Sequence, residues 1–555
     1  MYSTKKEMIM KLYKYILAGF LGVILFTGCT GNFDEMNVDP NNPTPETIDP
    51  DYLLSKAQIS GTMNIDLHQR IHSLTIDIFA QYIANEGFTT DRCVPVEGWT
   101  NSYWSQHWEW VNAMNDIIIN QKDNSVKVNT VQIARIWRVW LFHRATDLFG
   151  DIPYSEAANG TGILPKYDTQ KDIYYDMVKE LKEAAATLDA SKMNPGQNDL
   201  IFNGDISKWK KFANSLRLRL ALRMSEADPA KAKAEAEDAV ASGLLPGSNS
   251  ESVKVWRTES YMLWGYYYCY PTYYSWGELA MSKSMENILT GLGGISFPSP
   301  AAYETYVSVP EKVDPRGPVY FNVTSTPTGA IPQYAGLWKG ILPGLPIEEG
   351  QKAENIKTNN SRLGIRYVAT VSPSGEMKLN NDQYMMLMPY SEVCFLKAEG
   401  AVRCWNMGGS AKDFYEAGIR ASMQETGIDD ATIAKYLTSE NLNLVGTSVA
   451  FNHNQGDHNS QLEKVMTQKY IANFPDNGWE AFNDYRRLWM PSLIPFASPE
   501  TGYVVEPGSR TWKGSIRRLT YPATEQIVNK ANYEAAASRI GGDKTTTRIW
   551  WDAKK

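Results

Sequence analysis

The chain is predicted to be mostly α, a superhelical body of helix pairs carrying an irregular, loop-rich insertion. Three observations predict it. Apolar residues recur at helical spacing through several long segments in the first and last thirds of the chain. Some of these segments are followed at once by a second helical one. Between about 244 and 388 the periodicity gives way to Gly, Pro, Tyr and Thr. With 555 residues, 43% hydrophobic and 21% charged, the composition suits a sizeable core and either several domains or one repeat-built body.

The elements follow in chain order. "MKLYKYILAGFLGVILFTGCTGN" (10–32) sets Lys11 and Lys14 before an apolar stretch from Ile16 to Phe26. That stretch is too short to span a bilayer as a mature helix and fits the apolar region of a secretory leader. "LFTGC" resembles a bacterial lipobox, in which Gly28 is the small residue before the cut and Cys29 is acylated. Residues 1–28 are therefore expected to be a leader. Residues 29–50, a lipidated Cys followed by an Asn-, Asp- and Pro-rich stretch, are expected to be a flexible tether. Residues 51–555 are expected to form one body, helical over 51–243 and 389–555.

Within the body, "LHQRIHSLTIDIFAQYIANE" (67–86) repeats Ile71, Leu74, Ile78 and Tyr82 at helical spacing. "DTQKDIYYDMVKELKEAAATLD" (168–189) aligns Ile173, Met177, Leu181, Ala184 and Leu188, with Asp168 or Thr169 as N-cap. "SKWKKFANSLRLRLALRMSE" (207–226) looks strand-like at "LRLRL". The spacing of Trp209, Phe212, Leu216, Leu220 and Met224, and the length, favour a helix. Ala-rich 229–243 follows, closed by Gly243, and 390–405 with 411–427 makes another adjacent pair. Such pairs, with small residues at close-packing positions, resemble tetratricopeptide-type units.

The insertion contains "WGYYYCYPTYYSW" (264–276), eight Trp or Tyr rings in thirteen positions, broken by Gly265 and Pro271. It suits neither a buried helix nor an alternating strand, and reads as an aromatic core loop or as a binding surface for flat, ring-shaped ligands. In "SYWSQHWEWVNAMNDII" (102–118) Trp104, Trp108, Val111 and Asn115 share one helical face, which reads as core. Trp99, in the preceding loop "FTTDRCVPVEGWT" (88–100), has no such partner set and remains a binding candidate.

Other function classes find little support. The net charge is −7 and no Lys/Arg-dense block occurs, which argues against nucleic acid. HExxH, Walker A, GxSxG and dinucleotide motifs are absent, and "SKWK" (207–210) lacks the companions of its SxxK motif. His68 and His72 stand four apart without a third ligand, and "NHNQGDHN" (452–459) reads as a polar loop, so neither a metal nor a cofactor is expected. Cys93, Cys269, Cys394 and Cys404 are scattered without a CxxC, and no disulfide is forced.

"LFGDIPYSEA" (148–157), "PKYDTQKDIYYDMVKEL" (165–181), "GDISKWKKFANSLRLRLALRMS" (204–225), "DPRGPVYF" (314–321), "MPYSEVCFLKAEGAVRCW" (388–405), "QKYIANFPDNGWEAFNDYRR" (468–487) and "RRLTYPATEQIVNKANYEAA" (517–536) resemble, in order, the SusD/RagB family. Its members are outer-membrane nutrient-binding lipoproteins of Bacteroidetes. "NFDEMNVDPNNPT" (32–44) is similar to the post-lipobox start of the SusD-like branch and "RIWWD" (548–552) to its end.

The resemblance implies a non-enzymatic, lipid-anchored protein on the cell surface. It would capture oligosaccharides or, in some members, peptides and deliver them to a SusC-like, TonB-dependent β-barrel transporter. A secreted glycoside hydrolase is the alternative from another class. The motif residues Asp151, Asp205, Trp209, Asn214 and Arg217 look structural in this setting, as caps and buried polar networks. Ligand residues vary within the family and match no fixed motif. Pyranose rings present apolar C–H faces edged by hydroxyls, which Trp and Tyr faces can cover. Trp264, Tyr266, Tyr268, Tyr273, Tyr274 and Trp276 are thus the candidates for a binding shelf, with Trp99 and with Trp338 of "QYAGLWKGILPG" (333–344) as further rings.

Overall fold

The computed structural model describes residues 48–554 except 65–66, 86, 88, 159–163, 257–279, 299–308, 324–336, 346–351, 354, 357–358, 365–368, 372–376, 380–383 and 495–515. The leader, Cys29, most of the tether and the aromatic run from Trp264 to Trp276 lie outside the described residues.

Six long α-helices open the body: α1 (Pro50–Met63), α2 (Glu97–Gln121), α3 (Val128–Phe149), α4 (Gln170–Thr187), α5 (Ile206–Arg223) and α6 (Pro229–Ala241). Each packs against the next in chain order. The sequence stripes account for this. Ile173, Met177, Leu181 and Ala184 of α4 are buried, as are Trp209, Phe212, Leu216 and Leu220 of α5. Each large side chain so buried contributes about 1.5–3 kcal/mol. Side-chain caps begin α4, α5 and α6: Thr169 accepts from the Asp172 N–H, Asp205 from Lys208 and Asp228 from Lys231, with Pro229 in the first turn of α6.

Segment 67–86 departs from the α-helix that its spacing predicts. Leu67–Asp77 is a π-helix, and the chain leaves it through Gln81 at φ +56°. Nearly all its residues are buried, polar ones included, so no single apolar stripe distinguished a 3.6-residue turn from a wider one. His68 and His72 stack here at 5.0 Å. Burial, and then Arg144, lowers the His72 imidazole to about 3.

The insertion holds α7 (Lys283–Leu289) and short antiparallel strands. Ile83–Ala84, Ala280–Met281, Arg362–Leu363 and Phe321–Asn322 form one four-stranded sheet in that order. Val253–Trp256 pairs with Tyr384–Met388, directly ahead of the second helical part.

That part comprises α8 (Tyr390–Val402), α9 (Ala411–Glu425), α10 (Asp430–Leu437), α11 (Gln461–Asn473) and α12 (Gly478–Leu488). The pair α8 and α9 packs closely because Gly418 lacks a side chain; a Cβ there would lie 2.7 Å from the Phe395 ring. Helix α8 also packs on α5, joining the two helical parts. Short α13 (Ala523–Val528) and α14 (Lys530–Arg539) precede the last residues.

Where α5, α8, α11 and α12 meet, the core is ionic. Arg219 donates to both carboxylate oxygens of Glu392 at 2.8 and 2.7 Å. Arg223 reaches Asp147 at 3.3 Å and also Glu480. Arg487 donates to Glu399, and Lys469 lies 2.8 Å from Asp484. All these side chains are buried. Burial works to raise the Glu399 carboxyl, but the Arg487 and Arg403 guanidiniums outweigh it and hold it at about 2. Apart from Asp147, these residues come from the sequence motifs 204–225, 388–405 and 468–487, so those motifs encode the scaffold.

Candidate functional site

Two rings nominated from sequence are described, and they behave differently. Trp338 is 6% exposed. Its Nε1 donates to Thr290 Oγ1 at 3.2 Å and its ring meets Phe297 edge-on at 5.5 Å. The structure thus packs it into the core. Trp99 stands in the first turn of α2, not in the preceding loop, and packs half-buried against the core. Trp104, Val111 and Asn115, further along α2, are buried as their spacing predicts, and Trp108 is partly buried. Trp264, Tyr266, Tyr268, Tyr273, Tyr274 and Trp276 fall outside the described residues.

The motif residues take structural roles. Asp151 accepts from the Gln170 N–H and from Arg539; Trp209 Nε1 donates to Asp199 at 2.6 Å; Asn214 donates to the Lys210 carbonyl; Arg217 donates to Glu235. Cys93, Cys394 and Cys404 are free thiols. Among the described residues no cluster of three or more His, Cys, Asp or Glu is arranged to hold a metal, and no helix is long and apolar enough to cross a membrane.

A site that the sequence reading did not single out lies on the strand pair Val253–Trp256 and Tyr384–Met388. The first strand alternates: Val253 and Val255 point inward, whereas Lys254 and Trp256 face outward. Trp256 is 48% exposed. It lies opposite Tyr384 in the register, and the two rings meet edge-to-face at 5.0 Å. The Lys254 ammonium sits 4.1 Å from the Tyr384 ring centroid and 2.9 Å from a Glu425 carboxylate oxygen. Glu425 also accepts from the Tyr384 hydroxyl. One exposed ring is thus braced by a second ring and bordered by a closed cation–carboxylate pair.

Beside this cluster runs a cleft of about 60 Å³ lined by Tyr384 and Glu425, and by Met386, Ala421, Phe474 and Asn473, among others. Asn477 donates to the Met386 carbonyl and Asp476 accepts from its N–H, which fixes the strand edge. Asn473, the last residue of α11, is 1% exposed, and neither its side-chain nitrogen nor its oxygen has a protein partner. One sequence signal pointed here: a Trp in the outward slot of the alternating "VKVW" (253–256), shortly before the aromatic run.

Comparisons with known proteins agree with this architecture. A family model described as SusD-like, SusD and RagB outer-membrane lipoprotein, matches residues 35–552. A SusD homolog from Parabacteroides distasonis is 32% identical with a TM-score of 0.83, covering 91% of this chain and 98% of its own. A chitin-binding SusD homolog from Flavobacterium johnsoniae is 27% identical with a TM-score of 0.69 and the same coverages. A SusD homolog from Bacteroides ovatus is 26% identical, TM-score 0.69, covering 91% and 99%. No curated protein matches the chain.

Proposed function

This chain belongs to the SusD-like family of SusD and RagB outer-membrane lipoproteins, and on that premise we propose that it binds glycans at the cell surface. In this reading the leader 1–28 is removed, Cys29 carries the lipid, and residues 30–50 tether the body to the outer membrane. A leash of that length holds the body near the membrane at an effective concentration on the order of millimolar. It therefore suits delivery of captured oligosaccharide to a SusC-like, TonB-dependent barrel.

The observation that carries the reading is Trp256: a half-exposed indole, braced by Tyr384 and bordered by hydrogen-bonding groups. An apolar face with polar edges matches a pyranose ring, whose C–H face stacks while its hydroxyls find donors and acceptors. The rings 264–276 and Trp99 stay candidates for further stacking faces. The solved structure of a chitin-binding homolog adds support.

Titration of the lipid-free protein against a polysaccharide panel tests the reading, with reducing-sugar release and a casein digest assayed in parallel. Binding without release is expected. Release would favour a glycoside hydrolase, and peptide binding alone would favour a RagB-like peptide carrier. Mild detergent extraction is expected to recover the protein with a β-barrel partner, and Cys29→Ala to remove it from the membrane fraction.

A further inference from the structure

We propose that Trp256 and the cleft beside Tyr384 form a subsite for a 2-acetamido sugar unit, its ring stacked on Trp256 and its acetamido group in the cleft. The proposal rests on the glycan-binding reading and narrows its substrate class.

The ring of Trp256 is preorganised. Its strand pairing and its edge-to-face contact with Tyr384 hold it in place, so little side-chain freedom is lost when a ligand stacks on it. The neighbouring charges are already matched, since Glu425 accepts from both Lys254 and Tyr384. A uronate or sulfate would have to compete for that lysine. A neutral substituent would not.

The cleft then selects among neutral substituents. Water-sized groups need roughly 10–15 Å³ each by this measure, so about 60 Å³ takes a small group of several atoms and no whole sugar ring. Met386, Ala421 and Phe474 give it apolar walls that suit a methyl group. Asn473 supplies one amide donor and one amide acceptor without protein partners. An acetamido group suits it: a methyl for the walls and a carbonyl for the Asn473 NH2, its N–H being trans to that carbonyl and turned away. A hydroxyl at the same sugar carbon would leave the apolar walls unfilled.

Chitohexaose and cellohexaose differ at that carbon alone, acetamido against hydroxyl, and make the test. Isothermal titration of the lipid-free wild type should give at least about tenfold tighter binding of chitohexaose. Trp256→Ala should weaken chitohexaose roughly ten- to a hundredfold, by analogy with base stacking on aromatic rings. Asn473→Leu, checked for folding by circular dichroism, should bring the two hexamers to within about threefold of each other. Equal wild-type affinity for both hexamers, or an unchanged Trp256→Ala, overturns the subsite. If neither hexamer binds but another glycan of the panel does, the subsite falls and the glycan reading stands. If no glycan binds at all, both fall. Binding of casein peptides that Trp256→Ala abolishes, without sugar binding, would assign the cleft to a peptide and overturn the proposal.

Discussion

Arg219, Glu392 and Trp140 in the core, and Lys254, Glu425 and Tyr384 at the surface, are the same chemical combination in two settings. Each sets a cation against a carboxylate and an aromatic ring: Arg219 lies 5.4 Å from the Trp140 ring centroid, and Lys254 lies 4.1 Å from that of Tyr384. In the core all three side chains are buried and the guanidinium makes a two-point contact. At the surface the lysine and glutamate keep part of their hydration. The difference decides what each can be used for. A buried pair tolerates no change in one partner, because the other is left charged in a medium of low dielectric. A half-hydrated pair loses little when one partner is changed, because water takes its place.

The sharpest way to break the comparison is to remove one partner from the core. Arg219→Ala is expected to destabilise the fold by about 3–5 kcal/mol, since buried Glu392 loses both of its guanidinium bonds and keeps only the more distant Lys469, 3.9 Å away, which is itself paired with Asp484. Replacing both, as Arg219→Met with Glu392→Leu, should recover much of that loss. Guanidinium denaturation midpoints measure both, and a single variant within about 1 kcal/mol of wild type would show the pair to be dispensable.

The next effect sharpens the contrast through pH. His107 is buried between Trp108 and Phe142, and burial, then Arg144, lowers its imidazole to about 3. The folded value lies below the unfolded one, so between pH 6.5 and 3 the unfolded chain holds the extra proton. Stability from this group is complete above about pH 6.5 and falls below it, by about 2 kcal/mol at pH 5. His107→Phe should remove that much of the loss between pH 7 and 5, read as the difference in denaturation slopes. Glu399, held at about 2, contributes stability that is lost only below about pH 4.5. An unchanged slope in His107→Phe would mean that this histidine is not buried neutral.

The two regions also differ in how legible they were. The scaffold was readable because its signal is local: the stripes of α4 and α5 and the Thr169 and Asp205 caps lie within one or two turns of chain. The site was not, because its pieces are distant in sequence. Trp338 looked like a loop ring, and what buries it is Thr290 and Phe297, more than forty residues away. Asn473 read as part of a helical motif; its cleft also draws on residues 249, 320, 384–391 and 421–426. Trp256 alone carries a local sign, and the run 264–276 just after it is the denser aromatic signal.

A smaller effect is expected when the exposed ring is removed. Trp256→Ala forfeits the contact with Tyr384, worth about 0.5–1.5 kcal/mol. Thermal melting should thus shift by only a few degrees, while glycan binding suffers. A collapse in stability would make Trp256 a structural residue.

The smallest effect concerns Lys254. Its ammonium bridges the Tyr384 ring and Glu425 with both side chains partly exposed, so screening by water and salt leaves the pair worth no more than about 1 kcal/mol. Lys254→Met keeps the length of the stem over the ring and removes only the charge. Denaturation should register a loss below about 1 kcal/mol that shrinks further in high salt. Glu425 would then keep the Tyr384 hydroxyl on the same oxygen that Lys254 gives up, with water taking the place of the ammonium. A loss comparable to that of Arg219→Ala would mean that the two corners are energetically alike, and that burial does not separate scaffold from site in this protein.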